Sequence, residues 1–345
     1  MEKYARGYAV HRAGGQFSNF LVPRRELRGG DIEIEITHCG ICHTDVHTVY
    51  DDWRTTNFPV VPGHEIVGKV SRVGQDVRPY VAGNMVGVGC MVDSCRYCSA
   101  CLAGLEQYCE SNATWTYNDK DRRDGMVTYG GFSSTIVVDH RFVVPIPDSL
   151  SPAAAAPLLC AGITVYSPLR ANGIMAGKRI GIAGFGGLGH LAAKFARAMG
   201  AEFIVFTRSE AKRDIALELG AAGVFSPLLT VNCERSLDLI LDTVPVAHGI
   251  DAYLRCLKRG GTLVMVGLLE PLSEPTNIDL LISAGLSIRG SAIGGIGETA
   301  EMLAFCAEHG IRPDIQLVRA GDLTAVFEIL RAGGPSSRYV LEIER

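Results

Sequence analysis

The 345 residues carry 33 Lys and Arg against 37 Asp and Glu, a formal net charge of -4, with 47% hydrophobic composition. That is enough apolar material for two cores, and without a long basic block the footprint of a nucleic-acid binder is excluded in favour of small-molecule chemistry. MEKYARGYAV lacks the apolar run of a secretory signal, and the alanine-rich stretch near Ala153 is broken by Pro152, Pro157 and Gly162 short of bilayer length. A cytoplasmic protein without a membrane segment is expected, in which eleven cysteines serve as metal ligands or core residues rather than disulfides.

Over the first 150 residues, short β-branched segments bounded by Gly or Pro predict a compact barrel-like domain. In DIEIEIT, Ile32, Ile34 and Ile36 alternate with acids, the period of a strand with one buried face. GICHTDVH then supplies Cys42, Thr44, Asp45 and His47, and PGHEIVG sets His64 and Glu65 behind a Pro-Gly turn. Cys95, Cys98, Cys101 and Cys109 follow at spacings of three, three and eight, so one looping segment can point four sulfurs at one tetrahedral zinc. With every position filled by thiolate, that ion holds structure and admits no substrate. Cys42, His64 and Cys160 offer a three-ligand shell with an open corner, Glu65 an exchangeable fourth ligand, and Asp45 an acceptor for the second ring nitrogen of His64. Separations of 22 and 96 residues supply no local geometry that forces these ligands together. Cys39, Cys90, Cys233, Cys256 and Cys306 are expected to fill core space. Trp53, Phe58, Trp115, Tyr117 and Tyr129 are candidates for the wall of an apolar or aromatic substrate pocket.

Beyond Ala153 the pattern becomes strand, turn and helix: RIGIA, LGHLAAKFARAMG, FIVFT, EAKRDIALELG. Leu188, Leu191, Ala192, Phe195 and Met199 form a helix stripe for a parallel sheet, and LDLILDT, GTLVMVG and LSIRG read as further strands. In GFGGLG, Gly184, Gly186 and Gly189 match GxGxxG directly after a strand and at the opening of a helix, where a pyrophosphate rests on backbone amides. Thr207, Arg208 and Ser209 end the next strand, with Lys212 and Arg213 following, so a guanidinium can pair a 2′-phosphate and NADP(H) is favoured. Glu210, the dissenting carboxylate, is expected in the first turn of the following helix. The tail beyond Gly297 reads as helical segments closing on a strand, RYVLEIE.

Taken together, GICHTDVH, PGHEIVG, the four-cysteine lobe, LLCAGITVYSPL and GFGGLGH resemble, nearly end to end, the zinc-dependent medium-chain alcohol dehydrogenases, in particular the cinnamyl alcohol dehydrogenase-like branch. The resemblance implies an α/β protein: a GroES-like β-rich catalytic domain over residues 1–155, with a structural zinc lobe at about 90–112, a doubly wound Rossmann NADP-binding domain over 156–296, and a return to the catalytic domain over 297–345. It implies two zinc ions, one catalytic on Cys42, His64 and Cys160 with Glu65 joining when substrate is absent, one structural on the lobe. Thr44 and His47 match its proton relay. Gly186, Gly187, Leu188 and Gly189 match its pyrophosphate contacts; Thr207, Arg208, Ser209 and Lys212 its 2′-phosphate contacts; Thr164, Val266, Leu268, Ser291 and Ile293 further cofactor positions. Relatives often carry Ser or Thr where this chain has Arg208. The implied activity is hydride transfer between NADP(H) and an aldehyde or primary alcohol, in a homodimer. Reduction of an activated C=C or C=N bond on the same scaffold, and a noncatalytic zinc-stapled binding protein, are the alternatives.

Overall fold

The computed structural model describes residues 3–226, 233–267, 271–334 and 337–344. The chain divides into two compact units, Met1–Ile163 with Gly294–Arg345, and Thr164–Ile293.

The first unit is built on a seven-stranded sheet. Its strands run in the order Ile315–Val318, Arg338–Glu342, Asp31–Gly40, Ile66–Val73, Met85–Val88 and Val144–Pro145, and Thr135–Asp139 also pairs with Asp31–Gly40. Asp31–Gly40 is therefore hydrogen-bonded along both edges. Ile32, Ile34 and Ile36 are buried, but so are Asp31 and Glu33, and only Glu35 faces solvent. The simple alternation expected for DIEIEIT gives way to a doubly covered strand because cations satisfy its acids: Arg25 pairs with Asp31, and Arg72 Nε donates to Glu33 Oε2 at 2.6 Å. Near the C-terminus, Arg338–Glu342 runs antiparallel to the end of the same strand, with Val340 opposite Gly40 and Leu341 opposite Cys39. Arg338 is thereby delivered beside the segment that opens on Cys42.

The second unit carries six parallel strands in the order Gly223–Phe225, Glu202–Phe206, Arg179–Ala183, Leu237–Asp242, Leu257–Met265, Ser287–Gly290. Counted along the chain this is 3-2-1-4-5-6, the Rossmann order. Helix Gly187–Ala198 lays Leu191, Ala192 and Phe195 on the sheet, with Leu188 and Met199 half-buried at the stripe's margins. Phe203, Phe206, Ile240 and Leu254 fill the core, each worth about 1.5–3 kcal/mol of removed apolar surface. Among the described residues no single helix is long and apolar enough to cross a membrane; Pro152–Leu159 and Ala161–Ala171 pass only as a pair bent by 56°, and Leu158, Val165 and Leu169 within it are core residues.

Candidate metal centres and dinucleotide turn

Cys42 sits in extended conformation at the N-cap of helix His43–Tyr50, and Asp45 reaches back so that its Oδ2 accepts Cys42 N at 2.8 Å. The other carboxylate oxygen of Asp45 accepts Gly63 N and meets His64 Nδ1, both at 3.1 Å. One fully buried carboxylate thus fixes two of the ligand-bearing segments and places the His64 proton on Nδ1, leaving Nε2 free to ligate. Gly63 adopts φ +104°, and a side chain there would strike Cys39 Sγ and Phe132. Cys160 closes the short helical turn Ala156–Leu159. The ligand atoms of Cys42, His64, Glu65 and Cys160 all lie within 4.8 Å of one another, with Cys42 and Cys160 Sγ 3.9 Å apart. Two sulfurs about 2.3 Å from a tetrahedral zinc stand about 3.8 Å apart, so the spacing fits that ion.

Glu65 completes the fit. Its Oε1 accepts Arg338 Nη2 at 2.7 Å, while its Oε2 is buried with no hydrogen-bond partner among the described residues. Burial pushes this carboxyl up to about 8 even with Arg338 beside it, a shift that a bound cation would oppose. A proton shared with Cys160, together with His64 and Arg338, holds the Cys42 thiol well below its ordinary range, while the same sharing and burial hold Cys160 up. Cys90, expected in the core, is only half-buried and belongs with this cluster: its thiol is lowered by a hydrogen bond with Cys160 and by His64.

Thr44 and His47 stand three residues apart on one helix, on the same side of it. Thr44 Oγ1 is 3.8 Å from Cys42 Sγ. Asp52 Oδ2 holds His47 Nδ1 at 2.8 Å, Arg331 Nη1 lies 3.2 Å from Asp52, and its guanidinium covers the Tyr50 ring at 4.0 Å. His47 Nε2 is buried with no hydrogen-bond partner among the described residues. Sequence reasoning missed Asp52, Arg331 and Arg338; Asp52 carried the one local signal, a carboxylate just past the helix bearing His47. Of the pocket candidates, Trp53 stacks at 5.2 Å on His47 and Tyr117 is buried 5.8 Å from the His64 ring. Trp115 is 43% exposed and Phe58 half-buried. Tyr129 packs on Phe20, and its carbonyl accepts from Arg24.

The lobe gathers Cys95, Cys98, Cys101 and Cys109 with their sulfurs within 4.8 Å of one another. Cys98 N points at Cys95 Sγ (3.4 Å), Cys95 N at Cys109 Sγ (3.3 Å) and Glu110 N at Cys98 Sγ (3.5 Å). Burial raises the Cys95 thiol, but backbone N–H groups of Tyr97 and Cys98 outweigh it and bring the group to about 6. Such amide-to-sulfur bonds stabilise thiolate, the form that binds a metal.

In the second unit, Gly184 adopts φ +82°, and a Cβ at Gly189 would lie 2.2 Å from Gly184 O, so only glycine permits this turn. A Cβ at Gly186 would meet nothing within 4 Å, leaving the helix N-terminus open for close approach, as a pyrophosphate requires. Gly187 and Leu188 begin the helix. Thr207 Oγ1 accepts Ser209 N at 3.2 Å; Arg208 is exposed and Lys212 half-buried. Glu210 lies in the first turn of helix Glu210–Glu218. Val266 N donates to Asp242 O and Ser291 N to Met265 O, Thr164 is buried, and Ile293 has φ +36°. Leu268 lies outside the described residues.

Residues 28–148 match the alcohol dehydrogenase GroES-like domain, and residues 187–308 the zinc-binding dehydrogenase domain. The chain is 46% identical over 339 residues to the NADP-dependent alcohol dehydrogenase C 1 of Mycolicibacterium smegmatis, covering 97% of each. Among solved structures it resembles a cinnamyl alcohol dehydrogenase of Sorghum bicolor (TM-score 0.94, 40% identity, 99% and 98% coverage). It also resembles the cinnamyl alcohol dehydrogenase of Helicobacter pylori complexed with NADP(H) (TM-score 0.91, 38% identity, 99% of each chain). With its GroES-like and Rossmann units and both thiol-rich centres, the chain belongs to the zinc-dependent medium-chain alcohol dehydrogenases, in their cinnamyl alcohol dehydrogenase-like branch.

Proposed function

We propose that this enzyme transfers hydride between NADP(H) and the carbonyl carbon of an apolar or aromatic aldehyde, or the corresponding primary alcohol. The observation that carries the reading is the convergence of Cys42, His64 and Cys160 with the Oε2 of Glu65, which has no hydrogen-bond partner among the described residues. When bound, zinc supplies a Lewis acid for the carbonyl oxygen and NADPH supplies the hydride. Asp45 orients His64 through Nδ1 and anchors Cys42 through its amide. Thr44 Oγ1 passes a proton to the substrate oxygen during reduction, and His47 is the reservoir, its Nδ1 fixed by Asp52 so that Nε2 exchanges the proton. Alcohol oxidation runs these transfers backwards. Trp53, Phe58 and Trp115 are the proposed substrate contacts.

For the cofactor, Gly184 to Gly189 would hold the pyrophosphate and Thr207, Arg208, Ser209 and Lys212 the 2′-phosphate, with Thr164, Val266, Ser291 and Ile293 toward the rest of the dinucleotide. Residues 1–155 and 297–345 are read as the catalytic domain and 156–296 as the NADP domain. Eleven reduced thiols suit a cytoplasmic setting. A homodimer is supported by the strand Ser287–Gly290, a sheet edge whose four residues are all exposed, and by Ile278 and Ile282 of the preceding helix, 57% and 76% exposed. A panel of aliphatic, aromatic and α,β-unsaturated aldehydes, assayed with NADPH and NADH, tests the reading. Reduction at the carbonyl is expected; saturation of the C=C bond, or no turnover of any aldehyde, overturns it. Arg208→Asp should weaken NADPH roughly tenfold or more relative to NADH.

A further inference from the structure

At the carboxyl end of the strand Leu237–Asp242 lies a carboxylate–imidazole pair that neither metal centre uses. Asp242 is fully buried and stands opposite Ala183, the last residue before the glycine turn. Its Oδ1 accepts Val244 N at 3.0 Å, and its Oδ2 faces His248 Nε2 at 2.8 Å. The other ring nitrogen, Nδ1, faces Val246 O at 2.8 Å. A carboxylate and a carbonyl only accept, so both nitrogens have to donate, and imidazolium alone can do that. The segment so pinned begins with Thr243, whose amide and Oγ1 both donate to Ala183 O at 2.9 Å; the hydroxyl also lies 3.2 Å from Gly184 O. A Cβ on Gly184 would stand 2.8 Å from that hydroxyl, so the turn and the segment are fitted to each other.

We propose that His248, as imidazolium, is a positioning residue for dinucleotide binding: its bond to Asp242 braces residues 243–248 against the glycine turn, and losing the ring proton weakens NADPH. This rests on the NADP(H) reading of that turn. Tyr253, from helix Asp251–Cys256, meets the ring edge-on at 5.9 Å, with its phenol pushed up by burial and Asp242 and opposed by Arg208. Glu274 lies against Gly249, the next residue along the chain. The Asp242 bond holds His248 above its ordinary range against the opposing effect of burial. A raised imidazolium contributes fully below the ordinary histidine value and ceases to contribute as pH rises through the raised one, so binding weakens toward alkaline pH.

The test is NADPH titration of the full chain by fluorescence between about pH 6 and 9, for wild type, His248→Gln and His248→Leu. NADH is run in parallel to remove the titration of the 2′-phosphate. Wild type should bind roughly tenfold more weakly at the alkaline end, the loss of one charge-assisted bond. His248→Gln, whose amide donates to Asp242 without titrating, should bind with little pH dependence, and His248→Leu weakly throughout. In cofactor-free wild type labelled with 15N-histidine, NMR at neutral pH should show both His248 nitrogens protonated. A neutral His248 ring, or an identical pH slope in His248→Gln and wild type, overturns the brace. Preference for NADH in all three proteins overturns the cofactor reading instead, and the NMR result then still decides the brace.

Discussion

Cys95, Cys98, Cys101 and Cys109 are gathered by one short helix and one turn within 14 positions of chain, whereas Cys42 and Cys160 are 118 positions apart and reach each other only through a finished sheet. The local centre is all sulfur, its thiolates supported by backbone amides. The distant one mixes sulfur, imidazole and a carboxylate, and has two charged neighbours, Asp45 and Arg338, tuning it. A closed shell of identical donors can be encoded by spacing alone; an open shell of unlike donors needs other elements to hold each ligand.

The contrast is sharpest for single-ligand removal. Cys98→Ala should lower the melting temperature by about 10 °C, since a structural zinc supplies on the order of 10 kcal/mol to the segment it folds. Differential scanning calorimetry decides, and a smaller loss there than in Cys42→Ala would invert the division of labour. Cys42→Ala should cut aldehyde turnover by ~10³-fold or more while the melting temperature stays close to wild type. Next in size is Arg338→Met. It leaves the buried Glu65 without its cation, a loss of about 3–5 kcal/mol in metal-free protein that zinc loading should reduce; equal destabilisation with and without zinc would show that Glu65 never turns to the metal. Asp45→Asn should be mildest, weakening zinc ~10–100-fold in a chelator competition while leaving the lobe's metal untouched.

How far the sequence could be read follows the same division. The lobe, the glycine turn and the alternating strands and helices of the second unit were legible because spacing, periodicity and turn chemistry are local; the 3-2-1-4-5-6 order of the sheet was only implied, through the Rossmann resemblance. Cys42, His64, Glu65 and Cys160 were nominated as zinc donors by their chemistry and tied to one site only by resemblance; nothing between positions 42 and 160 dictates their meeting. Arg338 was invisible, because its place beside Glu65 depends on the register of a C-terminal strand against Asp31–Gly40. Asp31 and Glu33 misled for a related reason: an alternating strand looks half-solvated until the partners covering its edges and charges are known. Cys90 looked like a core thiol since no motif marked its approach to Cys160.

One small contact reaches furthest. Glu106 Oε2 in the lobe accepts the amide of Ile296, 190 positions later, at the start of helix Ile296–His309, and a Cβ on the preceding Gly295 would come within 1.8 Å of Gly104 O. The lobe is therefore not a portable cassette. Anyone grafting a different lobe onto this scaffold must transplant the distant glycine with it, or the returning chain will find its landing place occupied.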